Sequence, residues 1–318
     1  MMKSKGWILL ILFIIGFSIW RYSNGENEKN RFPVLKGPYL GQKPPSKKAV
    51  KFARGILAID DLGFNTAFSP DGNELFFTYI KRKTEENFQY VIKHSIRENN
   101  IWHGPEVAFF SGVYDDADVT FTPDGKRLFF CSDRPHPKSA DMDIWYIEKT
   151  DSGWSQPIYA GTEVNTIYNE VHAVFTQKGN LFFASNRPGG YGDKDIYMAK
   201  LRNGRFTGIT NLGPNVNSKC LDSNCYVPPD ERYIIFESMK PGGYGEVDLY
   251  VSFQAADRDW TKAINLGDSV NTEGYDLAPI VSPDGKYLFF FRTRCGDKNG
   301  IYWMDAKIIQ ELKPKGSK

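Results

Sequence analysis

The sequence predicts an all-β chain folded as a five-bladed β-propeller, and three observations carry that expectation. A short pattern ending in Pro-Asp-Gly recurs five times, its sixth positions at Gly72, Gly125, Gly179, Glu231 and Gly285, in steps of 53, 54, 52 and 54 residues. Each copy is followed by an aromatic run and a third strand-like segment, and the first four by a fourth as well, and four strands per period of about 50 residues is the arithmetic of a propeller blade. The composition agrees: aromatics make up 15% of the 318 residues, and 29 Gly and 18 Pro favour strands joined by tight turns over long helices.

The elements follow in chain order. Lys3 and Lys5 precede an apolar run from Trp7 to Trp20, broken only by Gly16 and Ser18. This run predicts an N-terminal apolar helix within residues 1–25 that directs export, either as an uncleaved signal-anchor that keeps the protein on the membrane or as a cleaved signal peptide. No small-x-small cleavage site follows it, which favours the anchor, with residues 7–20 in the membrane. Residues 26–48, polar and carrying Gly37-Pro38 and Pro44-Pro45, read as a linker and lead-in.

Residues 49–305 read as the propeller. The five turn copies start at Ala67, Thr120, Val174, Tyr226 and Ile280. Pro pre-sets φ at the first turn position, Asp suits the second and Gly takes the left-handed third, so each copy joins two strands in a tight turn. After each turn comes a run such as Leu75-Phe76-Phe77, Leu128-Phe129-Phe130 or Leu288-Phe289-Phe290, apolar on successive residues as in a strand buried on both faces. Third strands follow at Tyr90, Ile144, Ile196, Leu249 and Ile301, and fourth strands at Trp102, Trp154, Phe206 and Trp260. The fifth unit lacks a fourth strand, and Val50-Lys51-Phe52, before the first unit, supplies it and closes the ring, so that no sheet edge is left open there. Residues 306–318 read as a C-terminal tail.

The fullest copy of the unit reads Ser185-Asn186-Arg187-Pro188-Gly189-Gly190-Tyr191-Gly192-Asp193-Lys194-Asp195-Ile196-Tyr197, and a second runs from Ser238 to Tyr250 with Lys240 in place of Arg. With these motifs the chain resembles the exported WD40-like β-propeller repeats of the Ser-Pro-Asp-Gly type, the kind also found in the propeller of TolB. The resemblance covers residues 49–305 and implies an extracytoplasmic platform for binding or scaffolding, with no single activity attached. Blade 1 departs from it by lacking the Arg-Pro-Gly-Gly segment, and blade 3 has Gln177-Lys178 for Pro-Asp. Five units also depart from the six of the TolB propeller.

Charge narrows the functional classes. The net charge is +2, but residues 1–60 carry +8 and the remainder −6, so the folded part is mildly acidic and unsuited to a phosphate backbone. Asp115, Asp116, Asp118, Glu170, Asp222 and Asp276 recur just before the innermost strands. Propeller geometry brings them to one face with Tyr114, Tyr168, Tyr191, Tyr244 and Tyr275. A carbohydrate-active enzyme would use a carboxylate pair at such a mouth. A structural role, pairing with Arg134, Arg187 and Arg294, is the better expectation, because a catalytic pair is needed once and not once per blade. The acids of Asp141-x-Asp143 and Asp193-x-Asp195 are likewise read as holding loop backbone and not as calcium ligands.

The reading is therefore a non-catalytic, monomeric propeller of the cell envelope, binding a protein or a glycan through this face. Tyr114, Tyr168, Tyr191, Tyr244 and Tyr275 are the expected contacts, with Arg134, Arg187, Glu170, His172 and Asp276 beside them. No metal, cofactor or nucleic acid is expected: His94, His103, His136 and His172 lack metal spacing. Cys220 and Cys225, with four residues between them in an exported turn-rich segment, are expected to form a disulfide.

Overall fold

The computed structural model describes residues 32–57, 63–84, 88–137, 142–293 and 299–315. The apolar run at 7–20 lies outside these residues, as do Asp141, Arg294 and Cys295. Among the described residues no helix is long and apolar enough to cross a membrane.

Two short strands, β1 (Leu35–Lys36) and β2 (Val50–Lys51), precede the first blade. Blade 1 is built from β3 (Gly63–Phe68), β4 (Glu74–Arg82), β5 (Phe88–Glu98) and β6 (Ile101–Val107). Blade 2 has β7 (Asp116–Phe121), β8 (Arg127–Ser132) and β9 (Asp143–Thr150), and its outer edge is split into β10 (Gly153–Trp154) and β11 (Ile158–Tyr159). Pro157 stands between those two pieces and has no N–H to continue the ladder. Blade 3 runs β12 (Glu170–Phe175), β13 (Asn180–Ser185), β14 (Asp195–Arg202) and β15 (Arg205–Asn211). Blade 4 runs β16 (Asp222–Tyr226), β17 (Tyr233–Ser238), β18 (Asp248–Phe253) and β19 (Ile264–Asn265). Blade 5 has β20 (Tyr275–Val281), β21 (Tyr287–Thr293) and β22 (Gly300–Asp305). All five sheets are antiparallel, and the inner strands β3, β7, β12, β16 and β20 touch in cyclic order, with β20 against β3.

The ring closes where the sequence places the closure. Val50 pairs with Trp303 and Lys51 with Tyr302, so β2 is the fourth strand of blade 5. Residues 35–48, read from the sequence as a lead-in, belong to the same fastening. Leu35 and Lys36 add a fifth strand to the outer edge of blade 1, opposite Trp102 and Ile101, and the Trp102 indole donates to the Gly37 carbonyl at 2.8 Å. Tyr39 then wedges between blades 1 and 5, its ring 5.2 Å from both Phe68 and Tyr287. At the other end of the chain, residues 307–311 form the short helix α1 (Lys307–Glu311), whose Ile309 is buried in the core shared by blades 4 and 5.

The Leu-Phe-Phe runs are apolar on successive residues because the second strand of each blade is covered on both sides by neighbouring blades. Phe129 packs with Leu181 and Phe183 of blade 3, while Phe130 packs with Phe76 of blade 1, and both are fully buried. At about 1.5–3 kcal/mol for each such side chain, the second and third positions of the five runs dominate the core.

The turns behave as their residues dictate. In blade 1 the Ser69 hydroxyl donates to Asp71 at 2.6 Å and accepts from the Glu74 amide at 2.8 Å, while Gly72 takes φ +70°. Blades 2 and 5 repeat the hydroxyl–carboxylate bond with Thr122–Asp124 at 2.6 Å and Ser282–Asp284 at 2.7 Å. Glu231 holds the glycine position of blade 4 at φ +58°, a backbone that L-residues adopt at a cost of about 1–2 kcal/mol.

Candidate functional site

Each inner strand from blade 2 to blade 5 has a fully buried acid at its first or second residue, and each acid meets a base from the end of the next strand. The pairs are Asp116–Arg134 at 2.6 Å, Glu170–Arg187 at 3.1 Å, Asp222–Lys240 at 2.6 Å and Asp276–Arg292 at 2.8 Å. Every base also donates to a carbonyl in the loop that enters its blade, namely those of Phe110, Val164, Val216 and Val270. The acids complete the arrangement by accepting from that loop: the amide and hydroxyl of Thr166 reach Glu170, those of Ser218 reach Asp222, and those of Thr272 reach Asp276. One carboxylate thus ties a blade's first two strands to its entry loop. Burial raises the carboxyls of Asp116 and Asp276 above the usual range, against the pull of their guanidiniums, and burial lowers the Lys240 ammonium against the pull of Asp222.

In blade 5 the base is Arg292, which directly faces Asp276 across the ladder; Arg294, expected from the sequence in this role, lies outside the described residues. Arg134 and Arg187, expected to face a partner, are turned inward to these carboxylates, as are Glu170 and Asp276.

In blades 3 and 4 the acids before the third strands hold loop backbone. Asp195 accepts from the Tyr191 and Gly192 amides and from Asn211, and Asp248 accepts from the Tyr244 and Gly245 amides and from Asn265. Among the described residues no cluster of three or more His, Cys, Asp or Glu side chains is arranged for a metal ion. A repeated asparagine, not singled out in the sequence, works beside them. The side-chain oxygens of Asn165, Asn217 and Asn271 accept from the amides of Ile144, Ile196 and Leu249, and their amide nitrogens donate to the carbonyls of the same three residues. The signal was present as Val-Asn-[Ser/Thr] at Val164, Val216 and Val270, spaced 52 and 54.

With the acids and bases inward, the loops present their tyrosines. Tyr114, Tyr168, Tyr191 and Tyr244 are 36–54% exposed, and Ile167 beside Tyr168 is 68% exposed. Tyr275 is half-buried, and its hydroxyl donates to Glu246 at 3.1 Å. The loops carrying Tyr191 and Tyr244 are held by Asp195 and Asp248, so these rings stand on fixed backbone.

His172 lies apart from this face. It is 1% exposed, stands in the middle of its inner strand at φ +51°, and lines the central channel on the side of the Pro-Asp-Gly turns.

The expected Cys220–Cys225 disulfide is not formed; both are free thiols, as is Cys131. Residues 221–226 are extended, and five steps of strand span roughly 16 Å, far beyond the separation of about 7 Å that a disulfide tolerates. Cys225 points into the core between blades 3 and 4, where burial pushes its thiol up to about 12.

No protein-family model matches the chain, and no curated protein sequence does. Solved structures do. TolB from Acinetobacter baumannii superposes with a TM-score of 0.51 at 16% identity, over 78% of this chain and 53% of its own. The tricorn protease superposes with a TM-score of 0.52 at 16% identity, over 86% of this chain and 25% of its own. The chain therefore spans about half the length of the one and a quarter of the other. At this identity the likeness is one of architecture: the chain is a five-bladed β-propeller whose structural neighbours include a TolB protein.

Proposed function

We propose that this protein is an extracytoplasmic binding module, a WD40-like propeller of the Ser-Pro-Asp-Gly type that docks an envelope protein or glycan on the face carrying Tyr114, Tyr168, Tyr191, Tyr244 and Tyr275. The single observation that carries this reading is the division of labour on that face. The recurring carboxylates of blades 2 to 5 are consumed in buried ion pairs within each blade, while rigidly mounted tyrosines are left outward. Tyrosine offers large contact area with little conformational entropy to lose, and it stacks equally on a sugar ring or a peptide. A glycosidase at this mouth would need two carboxyls free to exchange protons, roughly 5–9.5 Å apart, and the paired acids are poorly suited to that. The Lys-flanked apolar run at 7–20 supports export and attachment to the membrane.

The test is capture of partners from native envelope extracts by the full chain and by its Tyr191→Ala/Tyr244→Ala variant. The reading requires the variant to lose the captured partner while its melting temperature holds. Equal capture by both, or collapse of the melting temperature, would show that these rings only cement the blades.

A further inference from the structure

The outer seams between blades repeat as the turns do, and one of them is left open. Trp102, Trp154, Phe206 and Trp260, spaced 52, 52 and 54, open the outermost segments of blades 1 to 4. Across the ladder from them stand Arg97, Lys149, Leu201 and Gln254. In blades 1 and 2 the facing residue is a cation lying over the indole, Arg97 at 5.7 Å from the Trp102 ring and Lys149 at 5.0 Å from that of Trp154. Both cations are held in place: Arg97 donates to Asn73 at 2.9 Å, and Lys149 reaches across to Glu74 of blade 1 at 2.9 Å. In blade 3 the aromatic is Phe206, which is itself buried. Blade 4 has neither device. Gln254 is uncharged, and among the described residues no cation lies over Trp260. Asn180 precedes the Leu-Phe-Phe run of blade 3 as Glu74 precedes that of blade 1, but its amide is drawn to Glu231 at 2.8 Å.

The seam between blades 3 and 4 opens there into a cleft of about 680 Å³, within the roughly 300–1,000 Å³ of small-ligand sites. Half-buried Trp260, Met198 and Leu212 line it and pack against the core between those blades, and Asn180 and Gln254 line it beside them. The charged groups on its wall do not cancel. Lys178 is matched by Glu231 at 3.3 Å and Arg232 by Asp230 at 3.0 Å, which leaves the exposed Lys200 and Arg258 against Asp259 alone. An indole face beside a side-chain amide suits a sugar ring. The C–H face of the sugar stacks on the indole, and its hydroxyls both donate and accept, as the Gln254 amide does. The surplus positive charge selects which sugar: it favours a ring bearing a carboxylate, through charge-assisted bonds. The same surplus opposes a cationic ligand in the place that Lys149 takes over Trp154.

We propose that this cleft binds an acidic sugar, one hexuronate residue of a glycan, with the ring on Trp260, hydroxyls on Gln254 and the carboxylate at Lys200 and Arg258. The site stands on the side of the Pro-Asp-Gly turns, shares no residue with the tyrosine face and does not depend on it.

Methyl β-glucuronide is the probe, with methyl β-glucoside as the neutral comparator and tetramethylammonium as the cationic one, each titrated into the full chain at low salt and followed by ligand-observed NMR. Saturable binding of the glucuronide is expected, with the glucoside about fivefold weaker for want of the ion pairs, and tetramethylammonium not bound. Gln254→Arg rebuilds over Trp260 the cover that Trp102 has, and should weaken the glucuronide about tenfold by taking the stacking face, although it adds a positive charge. Lys200→Glu combined with Arg258→Glu, both on exposed side chains, should bring the glucuronide down to the affinity of the glucoside or below while the melting temperature holds. This second variant keeps the test decisive should the first fail to fold. No saturable glucuronide binding, equal affinity for the two sugars, binding unchanged or tightened by Gln254→Arg, or indifference to the charge reversal would each overturn the proposal.

Discussion

Two departures from the repeat, in neighbouring blades, are one device, and removing it makes a quantitative test. Blade 3 has Lys178 where blades 1, 2 and 5 have the turn aspartate, so the buried Thr176 hydroxyl has no carboxylate of its own. Glu231, at the glycine position of blade 4, reaches across: its Oε1 accepts from the Thr176 hydroxyl and, at 2.8 Å, from the Asn180 amide, while Lys178 lies 3.3 Å from Oε2. Glu231→Gly should relieve about 1–2 kcal/mol of backbone strain. It should also forfeit two hydrogen bonds to a charged group, at about 1.5–3 kcal/mol each. The half-exposed Lys178 pair adds at most about 1 kcal/mol. The balance is a loss of about 3 kcal/mol, or roughly 6–12 °C in melting temperature for a domain of this size. Urea and thermal unfolding at neutral pH measure it. Adding Lys178→Asp to Glu231→Gly restores the common turn chemistry and should recover most of the loss. A Glu231→Gly protein as stable as the parent, or a Lys178→Asp change that recovers nothing, would refute the idea that the glutamate substitutes for the missing aspartate.

Other consequences are open to the same measurements. Arg292→Met should cost about 3–5 kcal/mol because it strands the buried Asp276 carboxylate, and adding Asp276→Asn should return part of that, so the double-mutant cycle is strongly non-additive. Burial raises the Glu237 carboxyl from 4.5 to about 7, so the folded state holds its proton more tightly than the unfolded state does. Its contribution to stability is present below about pH 4.5 and lost as pH rises toward 7; Glu237→Gln should flatten that part of the pH–stability curve and be more stable than the parent above pH 7 by up to about 3 kcal/mol. Tyr39→Ala should lower the melting temperature and speed proteolysis of residues 35–48, since its ring fastens blade 1 to blade 5; unchanged cleavage there would count against the fastening.

The architecture was legible because it rests on features that sequence writes directly. A left-handed turn position selects glycine, a strand covered on both faces selects successive apolar residues, and a fourth strand missing at one end reappears as Val50-Lys51 at the other. The channel was not legible, because Asn65, Asp118, His172, Asn224 and Ala278 share a backbone conformation and not a side chain. Only their spacing, equal to that of the turns, gave them away. Finding Arg292 opposite Asp276 needed the strand register, and Cys220 and Cys225 misled because nearness in sequence is distance in an extended strand. The tyrosines were found by type, and their exposure follows from an ion-pair scheme in which Arg134 and Arg187 turn away from solvent.

The pairing of Val50 with Trp303 joins residues some 250 positions apart, and this orders events in time. Blades 2, 3 and 4 are each assembled from contiguous chain and can form as soon as their own residues emerge, whereas blade 5 waits for nearly the whole polypeptide. Contacts so distant in sequence form slowly, because loop entropy is lost before they contribute. During synthesis β2, made early, therefore waits unpaired until β22 has emerged. A nascent chain at that stage offers this early strand to any neighbour, including another copy of itself, until its own last blade is made.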